Sequence, residues 1–123
     1  MTIAKQEIKA VQLTVQHYVE GMVYAREAAL RQAFHPDCRI IGHYHGKLEW
    51  LTLDDFIESI VSEGPAQEGV EARWEVQTLD VTGDAAAVKV TDEYMGIAFT
   101  DYLSLLKIDK HWRIINKLYY CHA

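Results

Sequence analysis

Asp92 and Asp101 each stand in a run that alternates apolar with polar residues, Val88-Lys89-Val90-Thr91-Asp92-Glu93-Tyr94 and Phe99-Thr100-Asp101-Tyr102-Leu103. Such alternation belongs to strands with one face in the core. It puts both carboxyl groups in phase with the apolar residues. An unpaired buried carboxylate is costly, and burial raises its hold on a proton toward the range useful in proton transfer. Tyr94, Asn116, Tyr120 and His122 fall on the same expected face, and Phe99 adds an aromatic wall. An apolar space with a few converging polar groups is the usual composition of a small-molecule site. Each polar group also has a plainer reading. Asp101 could serve as an acceptor in a structural network, Asp92 as a solvated strand end, and Asn116 as a bridge.

A second concentration of reactive types is Gly42-His43-Tyr44-His45-Gly46. Histidines two apart on a strand project to one side and could share a ligand or metal. A metal would need further ligands, for which Glu49 and Asp101 are the only suggestions, and no metal is assigned. His43 and His45 stay as candidate ligand contacts at a pocket rim. Trp50 precedes a helix and is a candidate for the pocket mouth, whereas Trp112 reads as core.

The elements that position these groups follow from periodicity. Ile8, Val11, Val15, Tyr18, Val19 and Met22 give a helical stripe, predicting a helix over 3–22. A second helix is expected near 24–34, stopped by Pro36. Residues 38–45 and 47–51 read as strands around a turn at Gly46. Thr52 then caps a third helix that ends at Gly64-Pro65. Four strands follow, near 70–80, 85–95, 97–108 and 111–122, separated by turns at Thr82-Gly83-Asp84, Met95-Gly96 and Asp109-Lys110. If the last two turns have two residues, Ile97 lies opposite Tyr94 and His111 opposite Ile108. Strict alternation then carries Trp112, Ile114, Asn116, Leu118, Tyr120 and His122 to the core face, and Lys117 and Tyr119 to the other. Helices grouped before a run of strands indicate an α+β fold with the helices on one face of the sheet.

Composition narrows the classes. The chain has 123 residues, 50% hydrophobic and 24% charged, which fits one globular domain, 1–123. A net charge of −6 gives no basic footprint for nucleic acid. The start has no apolar core of a signal peptide and no stretch suits a membrane span, so a cytoplasmic protein is expected. Cys38 and Cys121 form no metal-like spacing and read as reduced structural thiols, with a bridge between them left open.

The order of elements, together with Tyr18-Val19-Glu20-Gly21, Leu30-Arg31-Gln32-Ala33-Phe34-His35-Pro36-Asp37, Thr100-Asp101-Tyr102-Leu103-Ser104-Leu105-Leu106-Lys107-Ile108 and Trp112-Arg113-Ile114-Ile115-Asn116-Lys117, resembles the nuclear transport factor 2-like superfamily. Within it, the chain is most similar to the small bacterial proteins grouped as putative lumazine-binding. The resemblance implies a cone: a curved, mainly antiparallel sheet wrapped around three helices, with a pocket at one end. It implies a homodimer through the outer sheet face. It also implies, from the superfamily's isomerases, dehydratases and cyclases, a pocket carboxylate as base and a tyrosine or protonated aspartate as donor. On the expected register those roles fall to Asp101 as base and to Tyr94 or Tyr120 as donor. Asp92, Asn116, His43, His45, Trp50, His122 and Phe99 are then ligand contacts. No phosphate-binding loop is present and no cofactor is expected. The expected function is acid–base chemistry on a small apolar substrate; the alternative is a non-catalytic ligand-binding or dimerisation domain.

Overall fold

The computed structural model describes residues 2–123. The elements are α1 (Thr2–Val23), α2 (Glu27–Ala33), β1 (Phe34–Tyr44), β2 (Lys47–Thr52), α3 (Leu53–Glu63), β3 (Trp74–Thr82), β4 (Ala85–Tyr94), β5 (Ile97–Ile108) and β6 (His111–Cys121). The six strands form one sheet in the order β2-β1-β6-β5-β4-β3, antiparallel throughout except for β1 beside β6. The α+β architecture is the expected one, with three helices against a curved, open sheet.

The α1 stripe buries Val11, Val15, Tyr18, Val19 and Met22, while Ile8 is exposed because the buried stripe begins at Val11. Full burial of each such aliphatic side chain contributes about 1.5–3 kcal/mol. The second helix ends earlier than expected. Phe34 is already extended (φ −104°, ψ 144°) and fully buried. Its ring packs edge-on to Tyr18 at 5.3 Å and against Phe56 at 5.8 Å. Pro36 therefore lies inside β1, where the pairing with β6 is irregular between Phe34 and Arg39. Proline brings no ladder donor, so a break in pairing suits it. Thr52 caps α3 as expected, its side-chain oxygen accepting the Asp55 N–H at 3.2 Å. The first of the four expected late strands starts at Trp74, after a segment held by Tyr24, whose hydroxyl donates to the Val70 carbonyl and accepts from the Ala72 N–H.

Both two-residue hairpins have the expected register, with Tyr94 opposite Ile97 and Ile108 opposite His111. Met95-Gly96 and Asp109-Lys110 all have positive φ, the backbone that matches strand twist in tight hairpins.

Farther along β6 the alternation breaks. Leu105 pairs with Ile114, but Ser104 pairs with Asn116, so Ile115 is an extra, unpaired residue. A bulge of this kind reverses which face every later side chain meets. Trp112 and Ile114 point to the core as expected, and then Lys117 and Tyr119 do so. Asn116, Leu118, Tyr120 and His122 are turned to the outer face, contrary to the strict-alternation reading.

Candidate functional site

The reversed segment of β6 faces a cavity of about 70 Å³ between α3 and the inner faces of β1, β2 and β6. Ile40, Phe56, Ile60 and Phe99 give it apolar walls. Its polar groups are Tyr94, Lys117, Tyr119, Glu49 and, toward the exposed rim, Ser59 and Glu63. The volume is less than half of the about 150 Å³ that houses benzene in an engineered protein cavity. It takes a polar head and a few carbons, and anything larger extends across the rim.

Three strands cooperate to place Glu49 and Tyr119. Glu49 on β2 pairs with Gly42 on β1, and Gly42 pairs with Tyr119 on β6. The absent side chain of Gly42 leaves room for the Tyr119 ring, whose hydroxyl donates to Glu49 Oε1 at 2.6 Å. Burial, and then the Glu49 hydrogen bond and charge, push the Tyr119 phenol upward, so it remains a donor at neutral pH. Tyr94 differs: its hydroxyl is buried and has no protein partner. Burial, followed by the charges of Glu63 and Tyr44, pushes its phenol up to about 12. A protonated, unpartnered hydroxyl on an apolar wall is a hydrogen-bond donor available to a ligand.

Lys117 is 5% exposed. Its Nζ lies 4.7 Å from the ring centres of Tyr18 and Phe56, 5.5 Å from that of Tyr119, and 3.9 Å from Met22 Sδ. Among the described residues no carboxylate oxygen lies within 4.0 Å of it.

Asp92 and Asp101 are buried, at 4% and 0% exposure, and line no part of this cavity. Asp101 Oδ2 accepts from the Tyr18 hydroxyl at 2.6 Å, while its Oδ1 and both Asp92 oxygens have no hydrogen-bond partner. Burial, and then the neighbouring Asp101, push Asp92 up to about 10, so it is a neutral acid at neutral pH. Burial and the two aspartates likewise push Tyr18 well upward. The pair forms a proton-holding network behind the cavity wall, which corrects the placement of Asp101 in the pocket.

Of the other expected site residues, Tyr94 and Phe99 line the cavity. Tyr120 is 62% exposed on the outer face, opposite His43 on β1. His122 is exposed there too, its Nε2 2.8 Å from Thr100 Oγ1, and Asn116 is turned the same way. His43 and His45 do not share a strand face, but both line one surface recess with Tyr120. The strand ends at Tyr44, and His45 (φ 51°) and Gly46 form the turn. Tyr44 takes the inward position between them, stacked on Phe99 at 6.1 Å. Trp50 is exposed away from the cavity. Among the described residues no three His, Cys, Asp or Glu side chains are grouped to hold a metal ion. Sequence reading missed Lys117 and Tyr119, and weighed Glu49 only as a metal ligand. The available signal was Gly42, since a glycine inside an apolar strand marks a close approach.

The fold is shared with solved structures. An NTF2-like protein of unknown function from Silicibacter pomeroyi is 29% identical, with a TM-score of 0.91 over 97% of this chain and 98% of that one. One from Shewanella baltica is 27% identical, with a TM-score of 0.84 over 96% and 95%. A ketosteroid isomerase-like protein from Erwinia carotovora, 16% identical, shares the fold with a TM-score of 0.69 over 95% and 97%. In sequence, an aldolase, FrzH, of Cladobotryum sp is 25% identical over 120 residues, 98% of this chain and 95% of that protein. The nuclear transport factor 2-like fold is therefore that of the whole chain, and the sequence match across residues 6–120 settles the family: the chain belongs to the putative lumazine-binding family.

Proposed function

We propose that the chain binds a small, largely apolar carbonyl compound in the α3–β6 cavity and acts on it by acid–base chemistry without a cofactor. The observation that carries this reading is the buried, unpartnered Tyr94 hydroxyl on the wall of a cavity that Glu49 and Lys117 also line. That hydroxyl donates to the substrate's carbonyl oxygen. It holds its proton at neutral pH, so the bond strengthens as negative charge grows on the oxygen during enolate formation. Glu49, anchored by Tyr119, is the carboxylate on the cavity wall and takes the proton from the carbon beside the carbonyl. Asp101 does not take that role, because its side chain lines no part of the cavity. Enolate chemistry is common to isomerisation, dehydration and aldol reactions, and the likeness to an aldolase supports that class.

The test is solvent-deuterium exchange at the α carbon of small ketones, followed by NMR. Exchange above the buffer rate that falls in Tyr94→Phe and Glu49→Gln supports the reading. Binding of the same ketones with no exchange would leave a non-catalytic binding protein.

A second reading concerns association. We infer a homodimer through the outer sheet face, supported by a cross-strand row of Trp50, Ile41, Leu118 and Tyr102. All but Ile41 are exposed large side chains. A reducing, cytoplasmic setting fits Cys38 and Cys121, which are both free thiols.

A further inference from the structure

The Ile115 bulge costs β6 a ladder position and exchanges a neutral inward set for a lysine. Lys117 is the one lysine that lies buried on a cavity wall. Lys5, Lys9, Lys47 and Lys110 are exposed, Lys89 lies over Tyr102 on the outer face, and Lys107 is paired with Glu7. Buried cations are ordinarily matched by carboxylates. Here Asp92 and Asp101 lie in the same interior, yet neither comes within 4.0 Å of Nζ. Met22 and three aromatic rings surround the nitrogen instead, and Phe56, Tyr119 and Met22 are themselves cavity walls. A lysine nitrogen that is desolvated and unpaired is arranged as amine nucleophiles are in covalent carbonyl chemistry.

We propose that Lys117 is a covalent nucleophile, whose amine condenses with a ketone or aldehyde held in the cavity to form an imine and one water. This rests on the carbonyl-binding reading above and assigns its reacting nitrogen. The ammonium gives one proton to solvent through the rim at Ser59 and Glu63. The nitrogen lone pair then adds to the carbonyl carbon as the C=O π pair moves to oxygen, which takes a proton from Tyr94. The nitrogen returns a proton to Tyr94, which passes it to the new hydroxyl. The C–O bond then breaks and water leaves, the freed nitrogen pair forms the C=N bond, and Tyr94 recovers its proton from solvent. The protonated imine draws electrons from the adjacent carbon when Glu49 removes its proton, giving an enamine. Attack of that enamine on a second carbonyl makes a carbon–carbon bond as the second C=O π pair moves to its oxygen, which takes the proton held by Glu49 and so restores the carboxylate. Water then releases the product and returns the amine. No oxidation or reduction occurs. The Tyr94 and Glu49 roles are those of the non-covalent reading, with nitrogen in place of oxygen as the site where charge is held.

The experiment treats the full chain with butanone and sodium cyanoborohydride at near-neutral pH, then locates the reduced adduct by peptide mass mapping. The expected result is one adduct, on Lys117, at more than about tenfold the level on any of the six other lysines. It is absent in Lys117→Met and Lys117→Arg, and the excess over the other lysines disappears after unfolding in urea. Equal labelling of exposed lysines, or an unmodified Lys117, overturns the inference. Ligand-observed NMR with butanone alone separates the two levels. Binding without a Lys117 adduct defeats the covalent step and leaves the pocket reading intact. Neither binding nor adduct defeats both. Mapping on the unsubstituted chain decides the matter even where a Lys117 variant fails to fold.

Discussion

Gly42 and Tyr119 face each other across the one parallel pairing in the sheet, and a Cβ on Gly42 would lie 2.6 Å from the Tyr119 carbonyl oxygen and 2.7 Å from its ring. The first contact is with backbone, which cannot swing aside. Gly42→Ala must therefore part β1 from β6 or displace the ring that anchors Glu49. Overpacking of this kind costs about 1–3 kcal/mol. Urea unfolding should show a loss in that range, and ketone binding should weaken with it. Unchanged stability would mean that the two strands approach less closely than the geometry here.

The Asp92–Asp101 pair predicts an unusual pH dependence. Burial and its neighbour raise Asp92 from an ordinary 3.8 to about 10 in the folded state. Between those values the folded chain holds a proton that the unfolded chain has released, so stability falls as pH rises. Its contribution is fully present below about pH 4 and is lost progressively up to about pH 10. Asp92→Asn keeps the shape and cannot ionise. Its stability relative to the parent chain should rise with pH, by at least about 1 kcal/mol across the neutral range. Parallel unfolding midpoints for the two chains from acid to alkaline pH would rule out the raised proton affinity.

The outer sheet face gives a separate prediction. Leu118 and Tyr102 are paired neighbours and both are about half exposed. Leu118→Glu puts a charge at the centre of the apolar row. Light scattering after size exclusion should find the parent chain at twice its 14.1 kDa and the variant at that mass. A parent chain that runs as a monomer at all concentrations would remove the dimer reading.

Much of the fold was legible because local signals agreed with one another. Thr52 and Gly64 delimit α3, and the dipeptides Met95-Gly96 and Asp109-Lys110 fix the two hairpins to the residue. The registers at Asp92 and Asp101 followed from those turns. The site was less legible because one residue, Ile115, reverses the last strand after a stretch with no glycine or proline to mark it. Strict alternation consequently assigned Asn116, Tyr120 and His122 to the interior in place of Lys117 and Tyr119. The partner of Asp101 is Tyr18, 83 positions earlier, and no sequence spacing links a helix stripe to a strand at that distance. At His45 the turn needs both His45 and Gly46 with positive φ, which takes the second histidine off the strand.

Tyr94 and Tyr120 offer the sharpest contrast between the two readings of the sheet. Strict alternation makes both inward donors; the structure keeps Tyr94 on the cavity wall and turns Tyr120 to solvent. Loss of a single hydrogen-bond donor at a developing oxyanion lowers turnover by roughly 10²–10³-fold. Tyr94→Phe should therefore slow α-carbon exchange by up to that amount and leave the folded stability nearly unchanged, since its hydroxyl has no protein partner to lose. Tyr120→Phe should stay within about twofold of the parent chain, because an exposed hydroxyl far from the reacting oxygen stabilises neither ground nor transition state. If the two substitutions had the reverse effects, β6 would have to run without its bulge, and the cavity chemistry would pass from Lys117 and Tyr119 to Asn116 and Tyr120.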